Sequence, residues 1–397
     1  MRSIYLDYNA TTPIAPRVQE AMLPFLSAEY GNPSSTHRLG LAAHAAIEDA
    51  RFRVAQLLRA DADEIVFTSG GTESNNLAIC GLAFARMFGG SSRPGPSRPG
   101  PSRPGPSRGH LVISAIEHPA VAEPARFLKR MGFDVSVVAA DGDGVVDVAA
   151  IERAIRGDTF LVSVMHANNE VGVLQPIARI AEICRARGVP LHSDAAQSVG
   201  KIATAVDELG VDLLTVAGHK VYAPKGVGAL YVRRGIQLEP VLHGAGHEGG
   251  LRPGTENVPY IVGLGEAARL AGESLAAGAG ERIATLRDRL HARLQDAIGQ
   301  PLPINGGRAA RLPNTLSVNF PRVAGADLLK RADNVCASTG SACHAGEAHF
   351  SPTLSAMGVA KEAGGGCVRL SLGWYTSEED VDAAADALAE AWRALNT

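Results

Sequence analysis

Two short stretches carry residues able to do covalent chemistry: Ser193-Asp194-Ala195-Ala196-Gln197 and, a helix-length interval later, Ala217-Gly218-His219-Lys220. Each closes an apolar run, Val189-Pro190-Leu191 in one case and Leu213-Leu214-Thr215-Val216 in the other. A carboxylate at one strand end and an amine at a neighbouring one suit pyridoxal phosphate. Lys220 would form a Schiff base, and Asp194 would keep the pyridine nitrogen protonated so that the ring acts as an electron sink. Either residue alone reads more simply as half of a surface ion pair. The other motifs decide between the two.

Thr68-Ser69-Gly70-Gly71-Thr72-Glu73-Ser74-Asn75-Asn76 follows a strand and opens a helix. Gly70 and Gly71 let a ligand approach the backbone, the helix N-terminus attracts anions, and Thr72 offers a hydroxyl to phosphate. Taken alone, such a turn serves equally as plain structure. It lacks the GxxxxGK[ST] pattern, which excludes a nucleotide P-loop. Ile116-Glu117-His118-Pro119, also after a strand, sets an imidazole where it can stack on a planar ring and shuttle protons. Asn168-Asn169-Glu170 offers an amide near the ring oxygen or a substrate carboxylate, with Glu170 ordering the turn. Arg252-Pro253-Gly254-Thr255-Glu256-Asn257 is a polar turn able to supply a phosphate contact, including one from a partner subunit.

Arg369 is a charge inside the apolar strand Val368-Arg369-Leu370-Ser371. A buried arginine needs an anion. An amino-acid carboxylate, bound bidentately, is one candidate and an internal carboxylate the other. The small-residue segment Ala337-Ser338-Thr339-Gly340-Ser341-Ala342-Cys343-His344-Ala345-Gly346-Glu347 reads as a mobile loop presenting a thiol, with His344 beside it to favour the thiolate. Cys80 and Cys184 lie in helical apolar patterns, and Cys336 and Cys367 at strand-like edges, so all four read as structural.

The elements that must hold these residues are legible as an alternation. Strand-like runs at Glu64–Thr68, Leu111–Ser114, Val135–Ala139, Phe160–Met165, Pro190–Ser193, Leu213–Val216 and Ala229–Val232 are separated by amphipathic stretches such as Ile177–Arg187. That pattern predicts βαβ units, a mostly parallel sheet covered by helices, and ligand binding beyond the strand ends. After about residue 255 the character changes: Glu281–Ile298 has helical periodicity, and Asn314–Phe320 and Val368–Leu372 read as strands. Ser377 with Asp380 reads as a capping box for a last helix reaching about Leu395. The expectation is an α/β large domain over residues 16–255 and a smaller α+β domain from 1–15 and 256–397. Within the first, the stretch 91–109 carries three tandem Arg-Pro-Gly-Pro-Ser repeats and cannot join a helix or ladder.

The 397 residues are 46% hydrophobic and 20% charged, with formal charge −3, which gives no reason to expect nucleic acid or an anionic membrane as partner. Five scattered cysteines without a CxxC pair argue against a disulfide framework and a zinc site. Met1-Arg2-Ser3-Ile4-Tyr5-Leu6-Asp7 lacks a signal-peptide apolar core, and a reducing cytoplasm is the expected location.

Together these motifs, with Tyr5–Thr12, Gly31-Asn32-Pro33-Ser34-Ser35 and His166–Gly172, resemble the aminotransferase class V, NifS-like family of cysteine desulfurases and selenocysteine lyases. The resemblance runs nearly the whole length and implies fold type I of the pyridoxal phosphate enzymes and a homodimer. It implies that Lys220 bonds the cofactor, Asp194 the pyridine nitrogen and Gln197 the phenolic oxygen, with His118 stacked on the ring. Gly71, Thr72 and His219 would take the phosphate, with Thr255 reaching it from the second subunit. Asn168 and Arg369 would hold the substrate carboxylate. Cys343 would accept sulfur from L-cysteine as a persulfide, leave L-alanine, and pass the sulfur to an acceptor such as an iron–sulfur scaffold. Ala217 stands where bacterial desulfurases commonly carry a hydroxyl. That position, with Cys343-His344 and Ser351-Pro352, leaves L-selenocysteine as the alternative substrate.

Overall fold

The structure is a computed structural model that describes residues 2–89, 108–339 and 350–397. The Arg-Pro-Gly-Pro-Ser repeats and Cys343 lie outside the described residues. The strands, in chain order, are β1 (Ile4–Tyr5), β2 (Ile65–Thr68), β3 (His110–Ser114), β4 (Asp134–Val138), β5 (Thr159–Ser163), β6 (Leu191–Asp194), β7 (Leu213–Ala217), β8 (Gly228–Val232), β9 (Thr315–Asn319), β10 (Val335–Cys336) and β11 (Cys367–Ser371). Seven form one sheet in the order β2-β8-β7-β6-β5-β3-β4. Neighbours from β7 through β6, β5 and β3 to β4 run parallel, while β8 is antiparallel to both β7 and β2. All seven expected strands are present, each within two residues of the ends read from sequence.

Strands β3, β5, β7 and β8 are buried along their full length, as runs rich in Val, Ile and Leu must be when helices cover both faces. Helices α1 (Pro16–Ser27) and α2 (Arg38–Leu58) precede the sheet. Helix α3 (Gly71–Phe88) follows β2 and α4 (Pro119–Arg130) follows β3. Helix Val258–Ala276, expected with the smaller domain, packs instead against α1 and α2: Val258, Ile261, Leu264, Ala267, Ala268 and Ala271 all enter the larger core. Its residues share that core because Ala50 and Gly265 bring the two helix backbones close; a Cβ at Gly265 would lie 2.5 Å from Ala50 Cα.

A second core gathers Ile4 and Leu6, helix Ala279–Ile298, the antiparallel pair β9–β11 and the last helix, Glu378–Asn396. The Ser377–Asp380 capping box is present as read. The N-terminal residues are built into this core, with Ile4 and Tyr5 pairing parallel with Val335 and Cys336 and Asp7 bridging to Ser371, while Tyr8 enters the larger one. No helix among the described residues is long and apolar enough to cross a membrane.

Candidate active site

The described candidate residues gather mainly at the C-terminal ends of the parallel strands. Asp194 closes β6 and is buried; its Oδ2 accepts from Asn75 Nδ2 at 2.7 Å and its Oδ1 from the Ala196 amide at 3.0 Å. Both donors are neutral. A buried carboxylate gains most from a cation held against it, and a protonated ring nitrogen is such a cation.

Lys220 ends the 3-10 turn that follows β7. Its Nζ donates to the backbone carbonyl of Asn9 and, at 2.9 Å, to that of Ala10. Burial pushes its pKa down to about 8; the Arg369 charge adds to this, and Asp194 and Asp7 oppose it. An amine so near neutrality has a lone pair free to attack a carbonyl at ordinary pH. Lys220, His118, Glu117, Asn169, Arg369 and Asp7 line one open cavity of about 1340 Å³.

His118 caps α4: its Nδ1 accepts from the Ala120 amide at 3.1 Å, which leaves Nε2 as the nitrogen that carries a proton. Burial holds its pKa below the usual imidazole value; Asp194 opposes this and Lys220 reinforces it. Gln197 is buried, its Nε2 donating to the Asn9 carbonyl at 3.0 Å and its Oε1 accepting from Lys201 at 2.9 Å. His219 meets Thr11 Oγ1 at 3.2 Å, and burial, with Lys220 beside it, lowers its pKa to about 4.

The N-terminus of α3 has no side-chain cap. Gly70 precedes it at φ 147°, a conformation open to glycine, and a Cβ on Gly71 would lie 3.2 Å from Ala217 Cβ. The turn, the first amides of α3 and the end of β7 therefore form one concave, donor-rich corner, with Thr72 exposed at its rim. Thr255 is exposed on the loop before helix Val258–Ala276, and Arg252 of that loop reaches Glu73 of α3 at 3.0 Å. The neutral-donor floor under Asp194, the low-pKa amine and the uncapped helix end fit the ring nitrogen, aldehyde and phosphate of pyridoxal phosphate.

Arg369 has the internal carboxylate that was one of its two candidate partners: Nη2 meets Asp7 Oδ1 at 2.7 Å, and Nη1 donates to the Asn169 carbonyl at 2.9 Å. Its Nε is buried without a partner. Asn168 is fully buried and its amide is committed to protein partners on both sides. Nδ2 donates to the Ile116 carbonyl at 3.1 Å, and Oδ1 accepts from the amides of Glu170 and Val171. Its neighbour Asn169 lines the cavity instead. Adjacent identical residues give a sequence no means of choosing between them.

Cys343 falls outside the described residues, but both flanks of its segment are defined. Ser338 pairs through its backbone with Arg369, and Ser351 donates to Glu170 Oε2 at 2.5 Å, with Thr353 on Oε1 at 3.1 Å. Ser338, Pro352 and Thr353 line the cavity. Sequence reasoning passed over Asn75, Asn9 and Lys201. Asn75 and Asn9 lie inside recognisable motifs where their types alone suggest no role, and Lys201 gives no signal beyond following Gly200.

A model of the aminotransferase class-V family matches residues 4–90 and 102–384. A protein named cysteine desulfurase IscS, from Dictyoglomus turgidum, is 43% identical, and the match covers 100% of this chain and 96% of that one. Among solved structures, a NifS-like protein superposes with TM-score 0.85 at 36% identity, covering 98% of each chain. A structure of SspA in complex with cysteine superposes with TM-score 0.77 at 37% identity, covering 94% of this chain and 100% of that one.

Proposed function

From the premise that this chain belongs to the aminotransferase class-V family, we propose that it is a cysteine desulfurase, which converts L-cysteine to L-alanine and takes the sulfur onto Cys343 as a persulfide. The observation that carries the reading is a shared wall: Lys220, Arg369 and both flanks of the Cys343 segment line one cavity. Cys343 follows Ser338 by five positions (343 − 338), so an extended chain gives it a reach of up to about 17 Å from that flank. The relative in complex with cysteine carries the same fold.

Pyridoxal phosphate would be held by Asp194 at its ring nitrogen, Gln197 at its ring oxygen and His118 on its face, with Gly71, Thr72 and His219 at the phosphate. When bound, it supplies an electrophilic carbon and a ring that withdraws electrons from the substrate's α-carbon. Arg369 takes the substrate carboxylate, exchanging its Asp7 partner for it. Lys220 Nζ would remove the α-proton. His118 Nε2 carries a proton within the cavity. The Cys343 thiolate attacks the substrate sulfur, forming an S–S bond as the Cβ–S bond breaks. The electron pair of the broken bond stays with the three-carbon fragment, which takes up protons and leaves as L-alanine.

The exposed Thr255 is assigned to the phosphate of a second subunit, which makes the working species a homodimer. An acceptor protein, such as an iron–sulfur scaffold, then removes the sulfur. Ala217 keeps L-selenocysteine as the competing substrate. The test is a side-by-side measurement of alanine from the two amino acids with the cofactor-loaded protein. Alanine from L-cysteine is expected, with K220A slower by roughly 10²–10⁴-fold. C343A should keep the cofactor's visible band and lose desulfuration. Alanine formed only from L-selenocysteine, or desulfuration undiminished in C343A, would overturn the reading.

A further inference from the structure

Behind the cofactor corner lies a second lysine. Lys201 follows Gly200 on the turn after Gln197, and its side chain is half-buried. Nζ donates to Gln197 Oε1 at 2.9 Å and to Asn9 Oδ1 at 3.1 Å. Neither acceptor is charged. The surrounding small cavity is closed by Tyr8, Ile283, Pro313, Asn314, Leu372 and Trp374, and no carboxylate lines it. The charges it senses are positive, those of Lys220 and Arg369. Burial and those two cations push its pKa well below the ordinary lysine value.

We propose that Lys201 is a positioning residue of the active site, whose amine claims the oxygen of the Gln197 side chain so that its N–H end faces the cofactor's ring oxygen. This rests on the cofactor reading above. The two ends of a glutamine amide are nearly the same shape, and only their hydrogen-bond partners choose between them. Gln197 Nε2 spends one hydrogen on the Asn9 carbonyl at 3.0 Å, and the second remains for a ligand. Asn9 is fixed in the same way: its Oδ1 also accepts from Asn314 at 3.0 Å and its Nδ2 donates to Thr315 at 2.8 Å. The Asn9 carbonyl in turn accepts from Lys220. Lys201 thus orients both amides that border the reactive amine without touching the cofactor. Without Lys201, only the Asn9 carbonyl would hold the Gln197 amide in this orientation, and the donor to the ring oxygen would be weakened.

A donor on the ring oxygen disperses its negative charge and weakens its hold on the proton of the adjacent Lys220 linkage. Loss of the donor therefore raises the pH at which that linkage gives up its proton. The experiment is a visible-absorbance titration of the cofactor-loaded protein in four variants: K201M, K201Q, Q197A and the double K201M/Q197A. K201M is expected to move the midpoint up by about one pH unit, tenfold in the proton equilibrium. K201Q, which retains an N–H donor, should restore most of the wild-type midpoint and serves alone if K201M does not fold. In the Q197A background, adding K201M should shift the midpoint no further, because the two act through one contact. A K201M midpoint equal to wild type, a K201Q midpoint displaced as far as expected for K201M, or an undiminished K201M shift without Gln197 would overturn the proposal. A wild-type protein with no cofactor-dependent band would instead overturn the cofactor reading on which it rests.

Discussion

A half-buried carboxylic acid titrates where its surroundings put it, and Glu117 is the sharpest case in this site. Its Oε1 takes the Ser114 hydroxyl and, at 2.9 Å, the Met165 amide, while Oε2 is buried without a partner. Burial, with Asp194 adding to it, raises its pKa from 4.5 to about 8 against the pull of those hydrogen bonds. Between those two values the folded protein keeps a proton that the unfolded chain has released. Unfolding then releases a proton, and stability falls as pH rises from about 4.5 through about 8, levelling above. E117Q has nothing to titrate there. Its urea midpoint should gain on wild type between pH 5 and pH 9, by on the order of a few kcal/mol. Parallel midpoints across that range would show that Glu117 stays ionised throughout.

The same residue scale explains what the sequence could disclose. Asp194 and Lys220 stand at strand ends inside recognisable motifs, so their types alone suggest a task. Asn75 and Lys201 owe theirs to partners met only in the fold; Asn75 and Asp194 are 119 positions apart. N75A should cost about 1–3 kcal/mol by stripping a buried carboxylate of a donor. Thermal melts of the apoprotein would measure that cost apart from any effect on cofactor binding.

At the scale of elements, the apolar runs located β3, β5, β7 and β8 because their Val, Ile and Leu residues are buried on both faces. They did not disclose that β8 runs against its neighbours, since direction leaves no mark on composition. Nor did they find β1 and β10, each a pair of residues held by ladder bonds between Ile4 and Asn334 and between Leu6 and Cys336. The short helix Pro352–Ala356 shows how an element can serve the site through its cap. Ser351 Oγ accepts from the Leu354 amide at 3.0 Å while donating to Glu170. One hydroxyl therefore both starts the helix and ties it to the Asn168–Glu170 turn. S351A should lose about 1–2 kcal/mol, and hydrogen exchange at residues 353–357 should quicken before the sheet amides respond. Unchanged exchange there would mean that Thr353, which also reaches Glu170, holds the turn alone.

At the scale of the whole molecule, the site is a seam between two cores. Asp194, Lys220 and His118 come from the large sheet, and Arg369 from β11 of the smaller core. Asn9 bonds across, to Thr315, Asn314 and Ser371 on one side and to Gln197, Lys201 and Lys220 on the other. Tyr222 stacks on Trp374 with ring centroids 3.7 Å apart, and its hydroxyl accepts from the Trp374 amide. A pattern break in the sequence near residue 255 gave no hint that helix Val258–Ala276 belongs to the larger core, because amphipathicity marks a buried face without naming what covers it. With the cores joined at the seam, cofactor binding should stabilise them together. Pyridoxal phosphate at a hundredfold excess over its dissociation constant contributes about 2.7 kcal/mol. Calorimetry of apoprotein and loaded protein should show one transition moving upward as a unit, and K220A, without the proposed covalent bond, should gain less at the same concentration. If the larger core alone moved and left a second transition behind, Asn9 and the Tyr222–Trp374 stack would not be coupling the two halves.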